Sequence, residues 1–312
     1  MSAPHPAGAA PDAAADAPPG RVAQAHFPAD PDLGPAFELR RPARRTTPLV
    51  HASSHSGRLY PAQMMRLCAL DRQAVRSSED AYVDLLVERA PEHGGPLLLA
   101  RHARAYVDLN RAAYELDPSM FDSPAPRAFT RTPRAAAGLG SVARIVAEGS
   151  EIYRAPLAFA EAEARLAEVH APWHAQLDGL MAESVAGFGC AVLLDWHSMP
   201  AAAVATGRGA PPEVVLGDRH GSAASRAVVE RVAAAFEREG WRTTRNRPYA
   251  GGHVIERQGR PAERRHAVQV ELRRDLYLDE ATLALGSGFD AVRATLDRVV
   301  TALSGADWTA LA

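Results

Sequence analysis

The segment GFGCAVLLDWHSMP constrains this chain more than any other, because Cys190 to Leu194 form an unbroken apolar run that ends in Asp195, Trp196 and His197. A short run of this kind, with glycines before it and a proline after it, suits a strand buried on both faces. Such strands lie at the centre of sheets covered by helices on each side. The expectation is an α/β fold: a three-layer sandwich around a mixed, mostly parallel sheet. At 312 residues with 47% hydrophobic content, the chain can bury one large core, so a single domain over residues 35–312 is expected.

Other segments extend this sheet. Phe37 begins a strand-like entry, and Pro48 to Ala52 reads as a short strand running into a Ser/Gly-rich loop that holds His55 and Gly57. EVVLGDRHG reads as a strand closing on a glycine turn, and SRAVVERVAAAFEREG as an amphipathic helix ending at Gly240. HAVQVELR alternates Val268, Val270 and Leu272 with Gln269, Glu271 and Arg273, which places the two sets on opposite faces of a strand. Helices are expected over Ser78 to Arg89, opened by Glu79 and Asp80, over Leu157 to Ala186, and from about Glu280 to Leu303. Residues 117–135, rich in Pro, Ser and Arg, read as a loop, and the Ala/Pro-rich residues 1–34 as a flexible tail.

Composition narrows the function classes. A net charge of -2 with a sequence pI near 6.6 gives no overall basic field, so nucleic acid is not an expected partner. Cys68 and Cys190 are too few for a disulfide framework or a cysteine-built zinc site, so any metal must be held by His and carboxylate. There is no apolar stretch of membrane-spanning length and no signal-peptide pattern, so a cytoplasmic protein with no membrane partner is expected.

Polar residues that follow buried strands gather at one edge of an open α/β sheet and form its ligand crevice. That rule selects His55 and His197. Two histidines and a carboxylate with one open position make a common catalytic zinc site. Arg58, not a carboxylate, stands three residues after His55, so the third ligand must come from farther away, with Asp80 and its neighbour Glu79 as candidates. Glu271 is an unusual strand carboxylate, either paired with Arg273 or Arg274 or open to a site as a general base. In YVDLNR, Arg111 can clamp a substrate carboxylate with its planar fork, Asn110 can fix the other oxygen, and Asp108 can orient Arg111. The run NRPYAGG reads as a lid presenting Tyr249. No phosphate-binding glycine loop and no GxSxG elbow is present.

Taken together, HSG at His55 to Gly57, VDLNR at Val107 to Arg111, DWHSMP at Asp195 to Pro200, GDRHG, NRPYAGG and QVELRRDLY at Gln269 to Tyr277 resemble the N-formylglutamate amidohydrolase family, in order and spacing, from about residue 45 to 290. The resemblance implies a fold like that of zinc carboxypeptidases and aspartoacylases, a catalytic Zn2+, and hydrolysis of N-formyl-L-glutamate to formate and L-glutamate in histidine degradation. It implies His55, His197 and Asp80 as zinc ligands, Glu271 as the base for a zinc-bound water, Arg104 beside the oxyanion, and Asn110 and Arg111 on the substrate carboxylate. Where the wider carboxypeptidase-like group carries a glutamate three residues after its first histidine ligand, this chain has Arg58. A second reading keeps the metal and changes the substrate to another N-acyl amino acid or a short peptide, through residues 117–155. A third, a non-catalytic binder of an acidic small molecule, leaves Glu271 beside two histidines without a purpose.

Overall fold

Strand formation follows the apolar runs. A computed structural model describes Met1 and residues 34–123, 129–146, 149–205 and 209–308, and the expected tail lies outside these residues except for its two ends. The strands are β1 (Phe37–Arg40), β2 (Leu49–Ser53), β3 (Leu97–Ala100), β4 (Ala191–Met199), β5 (Val214–Gly217), β6 (Thr243–Arg245) and β7 (Arg265–Arg273). They form one sheet in the order β1-β3-β2-β4-β7-β5-β6. The central strands β3, β2, β4 and β7 run parallel, β1 and β5 pair antiparallel to their neighbours β3 and β7, and β6 runs parallel to β5. The mixed, mostly parallel sheet expected from the sequence is the one found.

Strand alternation divides the interior into two cores. On one face, Val50, Ala52, Leu98, Leu193 and Ala267 pack with Trp173, Leu177, Leu180 and Met181 of the helix Ala171–Phe188. On the other, Leu49, Leu97, Val192, Leu194, Val268 and Val270 meet Val232 and Phe236 of the helix Arg226–Arg238 and Leu296 and Val299 of the helix Phe289–Ser304. Burying each such side chain stabilises the fold by about 1.5–3 kcal/mol, which makes the central strands a stiff base. Toward the C-terminal ends of β4 and β7 the first face changes character: Asp195, His197, Gln269 and Glu271 replace its aliphatic residues, still buried.

Three expectations are corrected. The helix expected over Ser78 to Arg89 is only Val83–Leu86, because Tyr82 adopts φ 65° and Glu79 is drawn back to Arg76 and the Tyr60 hydroxyl. The last helix starts at Phe289, since the Asp279 carboxylate accepts from the amides of Ala281 and Thr282 and closes a turn instead. Asp195 and His197 lie inside β4 rather than at its exit. The helical stretch after Leu157 comprises Phe159–Arg165, a π-turn at Leu166–His170, and Ala171–Phe188. Among the described residues, no helix is long and apolar enough to cross a membrane.

Candidate active site

A cavity of about 400 Å³ opens at the C-terminal edge of the parallel strands, a size suited to small-molecule sites. Three chain segments deliver its inner residues. The turn after β2 carries His55, and this turn demands Gly57, where a Cβ would fall 2.1 Å from the His102 carbonyl oxygen. Asp80 arrives by the loop before Tyr82, its amide donating to the His55 carbonyl at 3.0 Å. His197 comes from β4, where the parallel register sets it opposite Glu271 of β7.

Asp80 Oδ2 lies 2.9 Å from His197 Nδ1 and 3.5 Å from His55 Nδ1, and one ligand atom from each of the three residues falls within 4.8 Å of the others. The outer ring nitrogens are fixed by carboxylates: His55 Nε2 donates to Asp108 at 2.7 Å and His197 Nε2 to Asp195 at 2.8 Å. Arg274 donates to Asp80 Oδ1 at 2.8 Å and to Ser198 Oγ at 2.9 Å. Carboxylates behind both histidines fix the tautomer that turns Nδ1 inward, an arrangement typical of metal-ligating histidines.

The electrostatics fit a divalent cation. Asp80, Asp108, Asp195 and Glu271 are buried together, and Arg104 and Arg274 pair with only two of them. Among the described residues, Asp195 and Glu271 have no arginine partner: Asp195 meets His197 and Glu271 meets Gln269. Buried His55 Nδ1 has no hydrogen-bond partner, as expected of a donor atom shaped for a metal. Burial opposes charge on His197, yet Asp195 and Asp80 hold its pKa well above the usual imidazole range, the effect of carboxylates gathered on both sides of the ring. Burial also works against the Asp80 carboxylate, but the hydrogen bond from His197 and the charge of Arg274 hold it well below its ordinary pKa. Two histidines and one aspartate form a donor set suited to zinc. Glu79, the alternative third ligand, is turned away toward Arg76 and Tyr60.

The remaining predicted residues also line the cavity: Glu271, Arg104, Asn110, Arg111 and Tyr249. Glu271 does not pair with Arg273 or Arg274. Gln269 Nε2 donates to its Oε1 at 2.6 Å, and burial, with the negative charge of Asp80, raises its pKa. Arg104 donates to Asp108 at 2.9 Å. Asp108 therefore orients His55 and Arg104, and not Arg111 as the sequence suggested. Arg111 donates from Nε to the Leu139 carbonyl at 3.1 Å. The Asn110 amide is committed within the protein: its Oδ1 accepts from the Val254 amide at 2.8 Å and its Nδ2 donates to Gln269 at 3.3 Å. Half-buried Tyr249 lies on a loop whose ends are tied by Asn246 to Asp218 at 2.6 Å and by the Gly252 amide to Gln269 at 2.8 Å.

Sequence reasoning missed roles for Asp195, Gln269, Arg274 and Arg134. The signal for two of them was present, since Asp195 shares a strand face with His197, and Gln269 with Glu271, two residues apart. Arg134, on the short helix Pro133–Ala136, reaches the cavity from the segment read as a loop.

Comparison with known proteins agrees with this geometry. The family model for N-formylglutamate amidohydrolase matches residues 47–278. A curated N-formylglutamate deformylase of Pseudomonas aeruginosa is 31% identical over 241 residues, 76% of this chain and 84% of its own length. Its counterpart from Pseudomonas putida is 26% identical over 236 residues, 75% of this chain and 82% of its own. The crystal structure of N-formylglutamate amidohydrolase from Ralstonia eutropha JMP134 matches with a TM-score of 0.81 and 33% identity, covering 86% of this chain and 96% of that one. The chain belongs to the N-formylglutamate amidohydrolase family.

Proposed function

We propose that this protein hydrolyses N-formyl-L-glutamate to formate and L-glutamate, with zinc held by His55, Asp80 and His197. The observation that carries the reading is the convergence of these three side chains within 4.8 Å, in one cavity with the buried carboxylate of Glu271. The names of the curated relatives supply the substrate. Zinc in this donor set supplies Lewis acidity toward a carbonyl oxygen and lowers the pKa of water.

The chain's own residues account for the proton transfers. Glu271 takes a proton from the attacking water as its oxygen adds to the formyl carbon, then delivers one to the departing amine nitrogen as the C–N bond breaks. A carboxylate whose pKa burial has raised is better matched to both transfers than an exposed one. Gln269 engages only Oε1 of Glu271, which leaves Oε2 for water. Arg104, held by Asp108 and lining the cavity, places positive charge where the oxyanion develops. Arg111, with only its Nε engaged, presents its terminal nitrogens to a substrate carboxylate.

The test is formate release from N-formyl-L-glutamate, run beside N-acetyl-glutamate and N-formyl-aspartate, with bound metal measured on the same sample. Release that ceases on chelation and returns with added zinc is expected. A zinc-loaded protein that releases no formate from N-formyl-L-glutamate would overturn the assignment.

A further inference from the structure

Among the described residues, four arginines line the cavity, and they fall into two kinds. Arg274 and Arg104 are committed: the first to Asp80 and Ser198, the second to Asp108. Arg111 and Arg134 are not. Arg111 spends only Nε, on the Leu139 carbonyl. Among the described residues, the Arg134 guanidinium has no carboxylate or hydrogen-bond partner. Two like charges that line one cavity repel each other, and an anion that joins them relieves that repulsion.

Their order runs outward from the catalytic residues. Arg104 is held against Asp108, the carboxylate that also binds His55; Arg111 follows it in the same segment and is partly buried, whereas Arg134 is exposed. Arg134 is thus the outermost of the series. Its backbone is fixed even though its side chain is exposed. Thr132 caps its helix by accepting from the Ala135 amide at 3.0 Å, and the same hydroxyl donates to Glu115 at 2.7 Å. In an N-acyl amino acid, the α-carboxylate lies close to the scissile nitrogen and a side-chain carboxylate lies farther out. The inner free guanidinium suits the first and the outer one the second.

We propose that Arg134 is the specificity residue that reads the side-chain carboxylate of the substrate, with Arg111 taking the α-carboxylate. The inference rests on the hydrolase reading above for its substrate and on the two uncommitted guanidiniums for its residues. It assigns the choice of an acidic over a neutral side chain to a single position outside the metal and proton-transfer groups. A neutral amide forgoes the paired, charge-assisted hydrogen bonds that the Arg134 fork offers a carboxylate, and that difference favours the acid over its isostere.

The experiment compares kcat/KM for N-formyl-L-glutamate and N-formyl-L-glutamine, a neutral analogue of nearly the same shape, in the zinc-loaded wild type, Arg134→Gln and Arg134→Lys. The glutamate-to-glutamine ratio should fall about tenfold or more in Arg134→Gln. Arg134→Lys, which keeps the charge and loses the planar fork, should recover part of it. A ratio unchanged in Arg134→Gln overturns the proposal. Calorimetric binding of L-glutamate and L-glutamine to the same proteins separates the inference from the reaction. Preference for L-glutamate that vanishes in Arg134→Gln upholds the role of Arg134 even if no formate is released, and preference that survives there refutes it even in an active enzyme.

Discussion

Glu271 and Asp195 are both buried strand carboxylates near His197, yet their partners give them different tasks. Glu271 shares one oxygen with Gln269 and keeps the other for water, so it can exchange protons. Asp195 accepts from His197 Nε2 and orients the ring. Glu271→Gln keeps the shape and removes the proposed base, so formate release should fall by about a hundredfold or more while metal content, read by atomic absorption, stays at the wild-type level. Full activity in that variant would refute the role of Glu271. Asp195→Asn should do the reverse. Weakening the carboxylate behind a metal-ligating histidine typically costs about 10–100-fold in metal affinity, so chelator competition should show looser zinc. Equal zinc affinity in wild type and variant would leave Asp195 without the orienting role.

The turn after β2 and the loop after β6 bring backbone close to the site, and both depend on glycine. A Cβ at Gly57 would meet the backbone of Arg101 and His102, neither of which can swing aside. Gly57→Ala should therefore lower unfolding stability by about 1–3 kcal/mol and disturb His55, two residues earlier. Urea unfolding and zinc affinity measure the two effects, and a wild-type value for both would show that the turn yields. At Gly252 a Cβ would fall 2.4 Å from the Asn110 amide, a side chain hydrogen-bonded to β7 and to the helix His253–Gln258. The strands of this sheet were legible because their apolar runs and alternation record burial directly. Thus His55, His197 and Glu271 could be placed by strand position alone. The short helix Val83–Leu86 was not, because the density of apolar residues around Val83 hides the left-handed turn at Tyr82 that frees Asp80 to enter the site. Asp108 was misassigned for a related reason: its partner His55 lies 53 residues away, and no local pattern records such a pairing. Arg134 was hidden by composition, since a Pro/Arg-rich stretch reads as surface whether or not it borders a cavity.

At the scale of the whole molecule, the packing that supports the site also sets its response to acid. Burial lowers the pKa of His51 to about 3, of His170 to about 4 and of His174 to about 2, from an ordinary value of 6.5. His170 and His174 lie beneath the segment that carries Asn110 and Arg111, where their Nε2 atoms donate to the carbonyl oxygens of Arg111 and Leu109 at 2.9 Å. A depressed folded-state pKa means that the unfolded chain binds more protons once the pH drops below 6.5. Stability is then full above pH 6.5 and declines as pH falls toward 4, the folded value of His170. His197, raised in the metal-free protein, has the opposite sign: its contribution is present below pH 6.5 and lost as pH rises through its folded value, so it is flat between pH 6 and 5. Glu271, raised by burial, offsets at most one proton in that interval. His253 and His266, also lowered by burial, add to the uptake, so about two protons or more are taken up on unfolding, and about 2–3 kcal/mol of stability or more is lost over that pH unit. Urea unfolding at pH 6 and pH 5 measures it directly. His170→Asn and His174→Asn should each flatten the slope by about one proton, and a wild-type slope of zero would mean that these histidines are protonated in the folded chain and do not hold the Leu109 and Arg111 carbonyls as neutral rings.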